Sequence, residues 1–343
     1  MPPARRTTGA TIGDVASRAG VSRATVSRVM NGLATVDPQI AARVRSAADE
    51  LDYRPSAAAR SLALGRTHTV GYLVPDLTNP AFHGAMRGLS LAAADEGYRV
   101  LVADSAERAA DEAPLAIETR RRCDALVLCA PRMPQQELVE LLPQLQPVIL
   151  LNRNAEEAGL PLLNVDWASG MRDLLRHLTG LGHRRIAYLA GPPASASNTD
   201  RLSGLRNLPA GVELLELECG AMFTDGHEAA GRVLDAEVSA VMAFNDVVAV
   251  GLLGALHEFG TDVPGEISVT GFDDIPYARF TAPPLTTAAV PQEEMGRLAW
   301  QRLRAILAGG HPHDRVLIRP RLVTRASTAR ARSTPSGTTR SRS

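Results

Sequence analysis

TIGDVASRAGVSRATVSRVMN, residues Thr11 to Asn31, holds two short segments of helical periodicity on either side of Ala19-Gly20-Val21-Ser22. In the first, Ile12, Val15, Ala16 and Ala19 fall on one face; in the second, Val21, Val26, Val29 and Met30 do so. Thr11 with Asp14 three residues on forms a capping-box pair, and Ser22 is a good N-cap for the second segment. The free face of that second segment carries Arg23, Ala24, Ser27 and Arg28. The pattern predicts a helix-turn-helix whose second helix presents arginines, as a reader of the DNA major groove does.

Working outward, residues 1–10 (MPPARRTTGA) read as a disordered arm, and residues 11–54 as an all-α head. After a loop at Gly32–Val36, Asp37-Pro38 supplies an N-cap followed by a proline at the first helical position. Ile40, Val44, Ala47, Ala48 and Leu51 give the third helix its apolar stripe, and it ends before Arg54-Pro55. Residues 55–68 follow as a hinge and linker. Pro55–Ala63 is alanine-rich and long enough for about two helical turns, which are marginal in isolation. It reads either as a plain connector or as a segment that becomes helical only when DNA and a partner hold it.

From Val70 the texture changes to apolar strands alternating with helical stretches. Strands are expected at Val70–Val74, Arg99–Ala103, Ala125–Leu128, Val148–Leu151, Arg185–Ala190, Val212–Leu217, Ala240–Ala243 and Ser268–Gly271. Helical patterns include Ala81–Glu96, Trp167–Leu181, Asp225–Leu234, Asp246–Phe259 and Glu293–Leu307. Such alternation implies an α/β core of doubly wound parallel sheets, and its length suggests two lobes. The core spans 69–326, with a first lobe of 69–165 plus 290–318 and a second of 166–289 plus 319–326. Asn164-Val165-Asp166 reads as one passage between lobes and Pro283–Thr287 as another. From Ser327 onward serine, threonine, arginine and proline dominate, which predicts a disordered basic tail over 327–343.

The formal net charge is zero, but it is unevenly spread. Residues 1–66 hold ten arginines against five acidic residues, and residues 325–343 hold five arginines and no acid. The body between them has 22 arginines against 32 acidic residues. A basic head is what attraction to phosphates requires. Cys123, Cys129 and Cys219 are too scattered for a metal site, and they read as small core residues of a reducing compartment. With no signal-peptide pattern and no apolar run of membrane-spanning length, a cytoplasmic protein is expected, with no membrane partner.

Catalysis finds little support. The chain has no G-x-G-x-x-G, no phosphate-binding G-x-x-x-x-G-K-[ST] and no nucleophile elbow, and His177, His183 and His227 lack ligand spacing. No cofactor, metal or catalytic residue is expected. A solute-binding protein without a regulatory role would share the lobes, but has no use for the first 66 residues.

Taken together, TIGDVASRAGVSRATVSRVMN, the hinge-like YRPSAAARSLA and the blocks PDLTNPAF, GHRRIAYLAGP, RLSGLR, FNDVVAVGLL, VPGEISVTGFDD and PPLTT resemble the LacI/GalR family of transcription regulators over nearly all of residues 11–326. The resemblance implies a DNA-binding protein on a pseudo-palindromic operator, a homodimer with a higher oligomer as the alternative. It also implies a core similar to periplasmic sugar-binding proteins, with three crossovers and a small-molecule effector, a sugar or sugar derivative, between the lobes. By position, Arg23, Ala24 and Arg28 would read base edges, with a phosphate contact as the competing role for Arg23. Ser22, Thr25 and Tyr53 would position the backbone. Ala59 and Leu62 would enter the minor groove, Leu62 either as a wedge or packed against its dimer mate. Phe82, Arg201, Asn245 and Asp273 would contact the effector. Capping of the helix opening at Asp246 is the competing, lesser role for Asn245. Met222 or Phe223 is expected as an apolar wall, and the short run from Arg206 to Leu214 implies a trimmed second lobe.

Overall fold

The computed structural model describes residues 10–31, 35–54, 65–155, 161–310, 312 and 315–332. The chain divides into two compact units, residues 1–68 and 69–343.

In the first unit, α1 (Ile12–Ala19), α2 (Arg23–Met30) and α3 (Pro38–Glu50) enclose one small core. Val15, Ala16, Ala19, Val26, Val29, Ala41, Val44, Ala47 and Ala48 form its buried centre. Local chemistry sets each boundary. The Thr11 hydroxyl accepts from Asp14 N at 3.3 Å while the Asp14 carboxylate accepts from Thr11 N at 2.8 Å, closing the capping box. Gly20 then ends α1 in the left-handed region (φ 65°), where a Cβ would be strained. Ser22 Oγ accepts from Thr25 N at 3.1 Å to start α2. Asp37 Oδ1 accepts from Gln39 N and Ile40 N, with Pro38 next in line, to start α3.

The second unit is built on two six-stranded sheets. The first combines β1 (Thr69–Val74), β2 (Arg99–Asp104), β3 (Ala125–Cys129), β4 (Val148–Leu151), β5 (Leu162–Val165) and β11 (Arg315–Ile318). Their order is β11-β5-β4-β3-β1-β2, all parallel. The second combines β6 (Arg185–Ala190), β7 (Glu213–Glu218), β8 (Ala240–Ala243), β9 (Ser268–Asp273), β10 (Thr286–Ala289) and β12 (Arg321–Val323). Its order is β12-β10-β9-β8-β6-β7, and only β12 runs antiparallel. Strand order reverses beside β1 in one sheet and beside β6 in the other, the two switch points at which ligands of open α/β sheets bind.

Helices cover both faces of each sheet. In the first lobe these are α4 (Pro80–Ala94), α5 (Ala109–Arg122), α6 (Gln135–Leu145) and α12 (Gln292–Leu307). In the second they are α7 (Trp167–Gly180), α8 (Ala196–Gly204), α9 (Phe223–Glu228), α10 (Ala230–Asp235) and α11 (Asp246–Glu258). Helices α4 and α12 approach so closely that a Cβ at Gly88 would lie 1.9 Å from the Glu293 carbonyl oxygen. No helix among the described residues is long and apolar enough to cross a membrane.

Three features differ from expectation. Thr286–Ala289 is not a passage between lobes but strand β10, held between β9 and β12; the chain crosses after it, at Val290-Pro291. The segment expected as one helix over Asp225–Leu234 breaks at Ala229 into α9 and α10. The chain at Ser327 is not a free tail. Ser327 is fully buried; its hydroxyl donates to the Val269 carbonyl at 2.6 Å and accepts from Thr286 N at 2.8 Å. Ala331 N donates to the Leu181 carbonyl at 2.9 Å, so the packed chain runs to Arg332. Polar composition concealed this segment because backbone and hydroxyl hydrogen bonds, rather than apolar periodicity, hold it. The short connection Leu205–Val212 joins α8 directly to β7, as the trimmed sequence implies.

Candidate functional site

On the head, the apolar stripe of α2 turns inward and leaves Arg23, Ala24 and Arg28 exposed on its other face. The Arg23 guanidinium lies over Gly13, 3.1 Å from where a Cβ would stand, so glycine there makes room for it. Ser22 spends its hydroxyl on capping, and the Thr25 hydroxyl lies 2.9 Å from it. Tyr53 is half-buried against the head's core. Ala59 and Leu62 lie outside the described residues.

The second unit brings Phe82, Arg201, Asn245 and Asp273 to one interlobe cleft. Phe82 enters on the first turn of α4, behind the N-cap Asn79. Arg201, on α8, is 2% exposed, the largest fully buried side chain among the described residues. Three rings hold its guanidinium: Trp167 at 4.0 Å, Phe244 at 4.3 Å and Phe272 at 4.5 Å from the ring centres. Its Nη1 donates to Ser197 Oγ at 2.7 Å, and its Nη2 lies 4.0 Å from Asp273 Oδ1. Nε has no hydrogen-bond partner.

Asp273 ends β9 at φ 108°, a backbone region that non-glycine residues occupy only under strain of order 1–3 kcal/mol. Burial pushes its carboxyl up to about 7, against the pull of Arg201. Behind it, Asp246 is completely buried; it accepts from Thr287 Oγ1 at 2.6 Å and Ile275 N at 2.8 Å. Burial, then the charge of Asp273, holds the Asp246 carboxyl well above the usual range. Asn245 caps its helix as expected and also stands in the cleft wall. Its Oδ1 accepts from Val248 N at 2.8 Å as the N-cap of α11, and its amide donates to the Ala221 carbonyl at 3.1 Å while lining the cleft.

Sequence reading missed Asn79, Arg132, Asn152, Trp167, Ser197, Phe244 and Gln292, which also line the cleft. Several lie past the C-terminal end of a strand: Asn152 and Phe244 immediately after β4 and β8, and Arg132 and Asn79 in the loops that follow β3 and β1. Position at strand ends was therefore the usable signal. Asn152 sits at φ 55° with its buried Oδ1 unpartnered. The expected apolar wall falls elsewhere: Ala221 lines the cleft, Phe223 is exposed, and Met222 Sδ meets Thr78 Oγ1 of the facing lobe at 4.0 Å. The free volume within the cleft is about 40 Å³, near that of one water molecule and far below the ~300–1,000 Å³ of small-molecule pockets.

A helix-turn-helix head with a cationic reading face, followed by a two-lobed binding core, defines a DNA-binding transcription regulator. Residues 11–56 match the bacterial regulatory proteins of the lacI family, and residues 175–328 match the periplasmic binding protein-like domain. The chain is 35% identical to the transcriptional regulator GalR of Escherichia coli K12 over 338 residues, covering 95% of this chain and 97% of the relative. It is 33% identical to the transcriptional repressor CytR of the same strain over 319 residues (91% and 94%). Among solved structures, the lac repressor dimer bound to operator and an anti-inducer superposes with a TM-score of 0.82 at 26% identity, over 94% of this chain and 100% of the other. A LacI family regulator from Enterococcus faecium with bound ribose superposes with 0.68 at 26% identity, over 77% and 100%. The chain belongs to the lacI family of bacterial regulatory proteins. It is a transcription regulator and not an enzyme, and the head sets aside a solute-binding role without regulation.

Proposed function

We propose that the protein is a homodimeric repressor of a pseudo-palindromic operator, working in the cytoplasm, whose DNA affinity is set by a carbohydrate held between its lobes. The observation that carries the effector class is a pair of buried, unpartnered groups of opposite character in the cleft wall: the donor Arg201 Nε and the acceptor Asn152 Oδ1. Buried polar groups are ordinarily satisfied, and a hydroxyl can both donate and accept. Arrayed hydroxyls also suit Asp273, Asn245 and Ser197, while Phe82 and Trp167 offer flat apolar surface to a sugar ring. The resemblance of this chain to a ribose operon repressor of E. coli K12 (34% identity, 84% of this chain) supports the same class.

In this reading Arg23, Ala24 and Arg28 read bases, Ser22, Thr25 and Tyr53 fix the phosphate register, and Ala59 and Leu62 act at the centre of the site. The effector must favour one lobe arrangement over the other, since equal affinity for both would shift nothing. The test is to select an operator in vitro with the full chain, then titrate the complex with pentoses, hexoses, disaccharides and nucleosides. A change of tenfold or more in operator affinity with a sugar is expected. A response confined to non-carbohydrate metabolites would overturn the effector class, and protection without dyad symmetry would overturn the dimeric operator.

A further inference from the structure

A second recess, of about 440 Å³, adjoins the cleft and shares Arg132 with it. Its first-lobe wall includes Arg153 and Gln135, and its second-lobe wall is the opening turn of α8 with Thr199 and Asp200. The two arginines differ in their commitments. Arg132 forms a two-pronged pair with Glu107, at 2.7 and 2.9 Å, and donates its remaining nitrogen to the Ala130 carbonyl at 3.0 Å. Arg153 is 8% exposed, yet its one protein hydrogen bond among the described residues runs from Nη2 to the Met133 carbonyl at 2.9 Å. Its buried Nε has no partner.

Facing Arg153 is the N-terminus of α8, whose N-cap Ser195 makes no side-chain cap; its hydroxyl lies 2.9 Å from Ser197 Oγ instead. A helix N-terminus carries partial positive charge and free N–H donors. Burial weakens the preference of Arg153 for its charged form, while Glu112 and Asp200 support it and Arg132 opposes it. Asp200 is the counterweight: an exposed carboxylate on the same wall, which forms no ion pair with Arg153 among the described residues.

Resting on the effector reading above, we propose that this recess takes an anionic group, phosphate or carboxylate, attached to the polyhydroxylated part of the effector in the adjoining cleft. A guanidinium with an unpartnered donor, lining the same recess as an uncapped helix start, favours charged oxygens there. The effector class thereby narrows from sugars in general to sugar phosphates or sugar acids.

The test uses the full-length protein and starts with inorganic phosphate and acetate, each against chloride at matched ionic strength. Phosphate or acetate should raise Tm in a saturable way by mass action, and the preferred ion distinguishes the two sources. Arg153→Gln should lower that affinity by about tenfold or more, Arg153→Lys should restore part of it, and Asp200→Asn should strengthen it. In matched sugars, glucose 6-phosphate and gluconate against glucose, one charged form should bind at least tenfold more tightly. A Tm rise no larger than with chloride, or one equal in wild type and Arg153→Gln, overturns the anion site. Should Arg153→Gln fail to fold, an Asp200→Asn protein with unaltered anion affinity overturns it equally. A neutral sugar that shifts operator affinity, with no gain from the charged form, removes this inference while leaving the carbohydrate reading in place.

Discussion

Arg201 Nη2 and Asp273 Oδ1 face each other at 4.0 Å, one carried by α8 and the other at the end of β9, with side chains 2% and 6% exposed. They are a guanidinium and a carboxyl that stop short of a direct hydrogen bond. The three rings around Arg201 fix its position, and the positive φ of Asp273 fixes the other side. A ligand hydroxyl between them would donate to the carboxylate and accept from the guanidinium.

This arrangement makes stability depend on pH. The folded-state Asp273 carboxyl is raised to about 7 from an ordinary value near 3.8. Its contribution is fully present below 3.8 and is lost as pH rises through about 7, because the folded chain holds a proton that the unfolded chain has released. Asp273→Asn should therefore flatten the decline in urea stability between pH 4 and pH 7. Equal pH slopes in both proteins would remove Asp273 from that role. If the effector donates a hydroxyl to the ionised carboxylate, its affinity should rise as pH passes through about 7 in wild type and not in Asp273→Asn.

Arg201→Met keeps much of the stem packed among Trp167, Phe244 and Phe272 while removing the donors. Effector affinity should fall roughly 100-fold, about 3 kcal/mol, the scale of losing charge-assisted hydrogen bonds. Operator binding by the effector-free protein should be unchanged. Fluorescence anisotropy on labelled operator, with and without effector, separates the two, and a retained response would move the site elsewhere.

Arg28→Ala should cost ~1–3 kcal/mol on the selected operator and relax the preference at one base pair in each half-site. Competition against a scrambled duplex provides the control. An equal loss on both duplexes would make Arg28 a phosphate contact.

Ser327→Ala leaves the Val269 carbonyl and the Thr286 N–H, both in strands of the second sheet, without their partner. The expected loss is about 1–3 kcal/mol in chemical denaturation, with operator and effector affinities unaltered once folded. An unshifted midpoint would show that the segment from Ser327 contributes nothing to the core.

Leu62→Ala tests the hinge reading. Operator affinity and DNA bending should both decrease, since an apolar wedge trades unstacking for contact area. Unaltered bending with weakened binding would assign Leu62 to the dimer mate instead.

What sequence alone settled follows from short-range rules. Helical periodicity, Thr11–Asp14, Gly20, Ser22 and Asp37-Pro38 determine the head, because caps and apolar stripes act within one or two turns. Alternating strands and helices likewise placed most of the two sheets. What lay beyond reach depended on distant partners. Thr286–Ala289 becomes a strand only because β9 and β12 flank it, and Ser327 is core only because Val269 and Thr286 meet it. The cleft divides in the same way: Arg201, Asn245 and Asp273 were legible by position. That Trp167, Phe244 and Phe272 would cage the arginine, that Asn152 would be buried without a partner, and that Arg153 would face the start of α8 were decided by tertiary structure. Burial and the convergence of strand ends set those contacts, and neither is a property of a residue and its near neighbours in the chain.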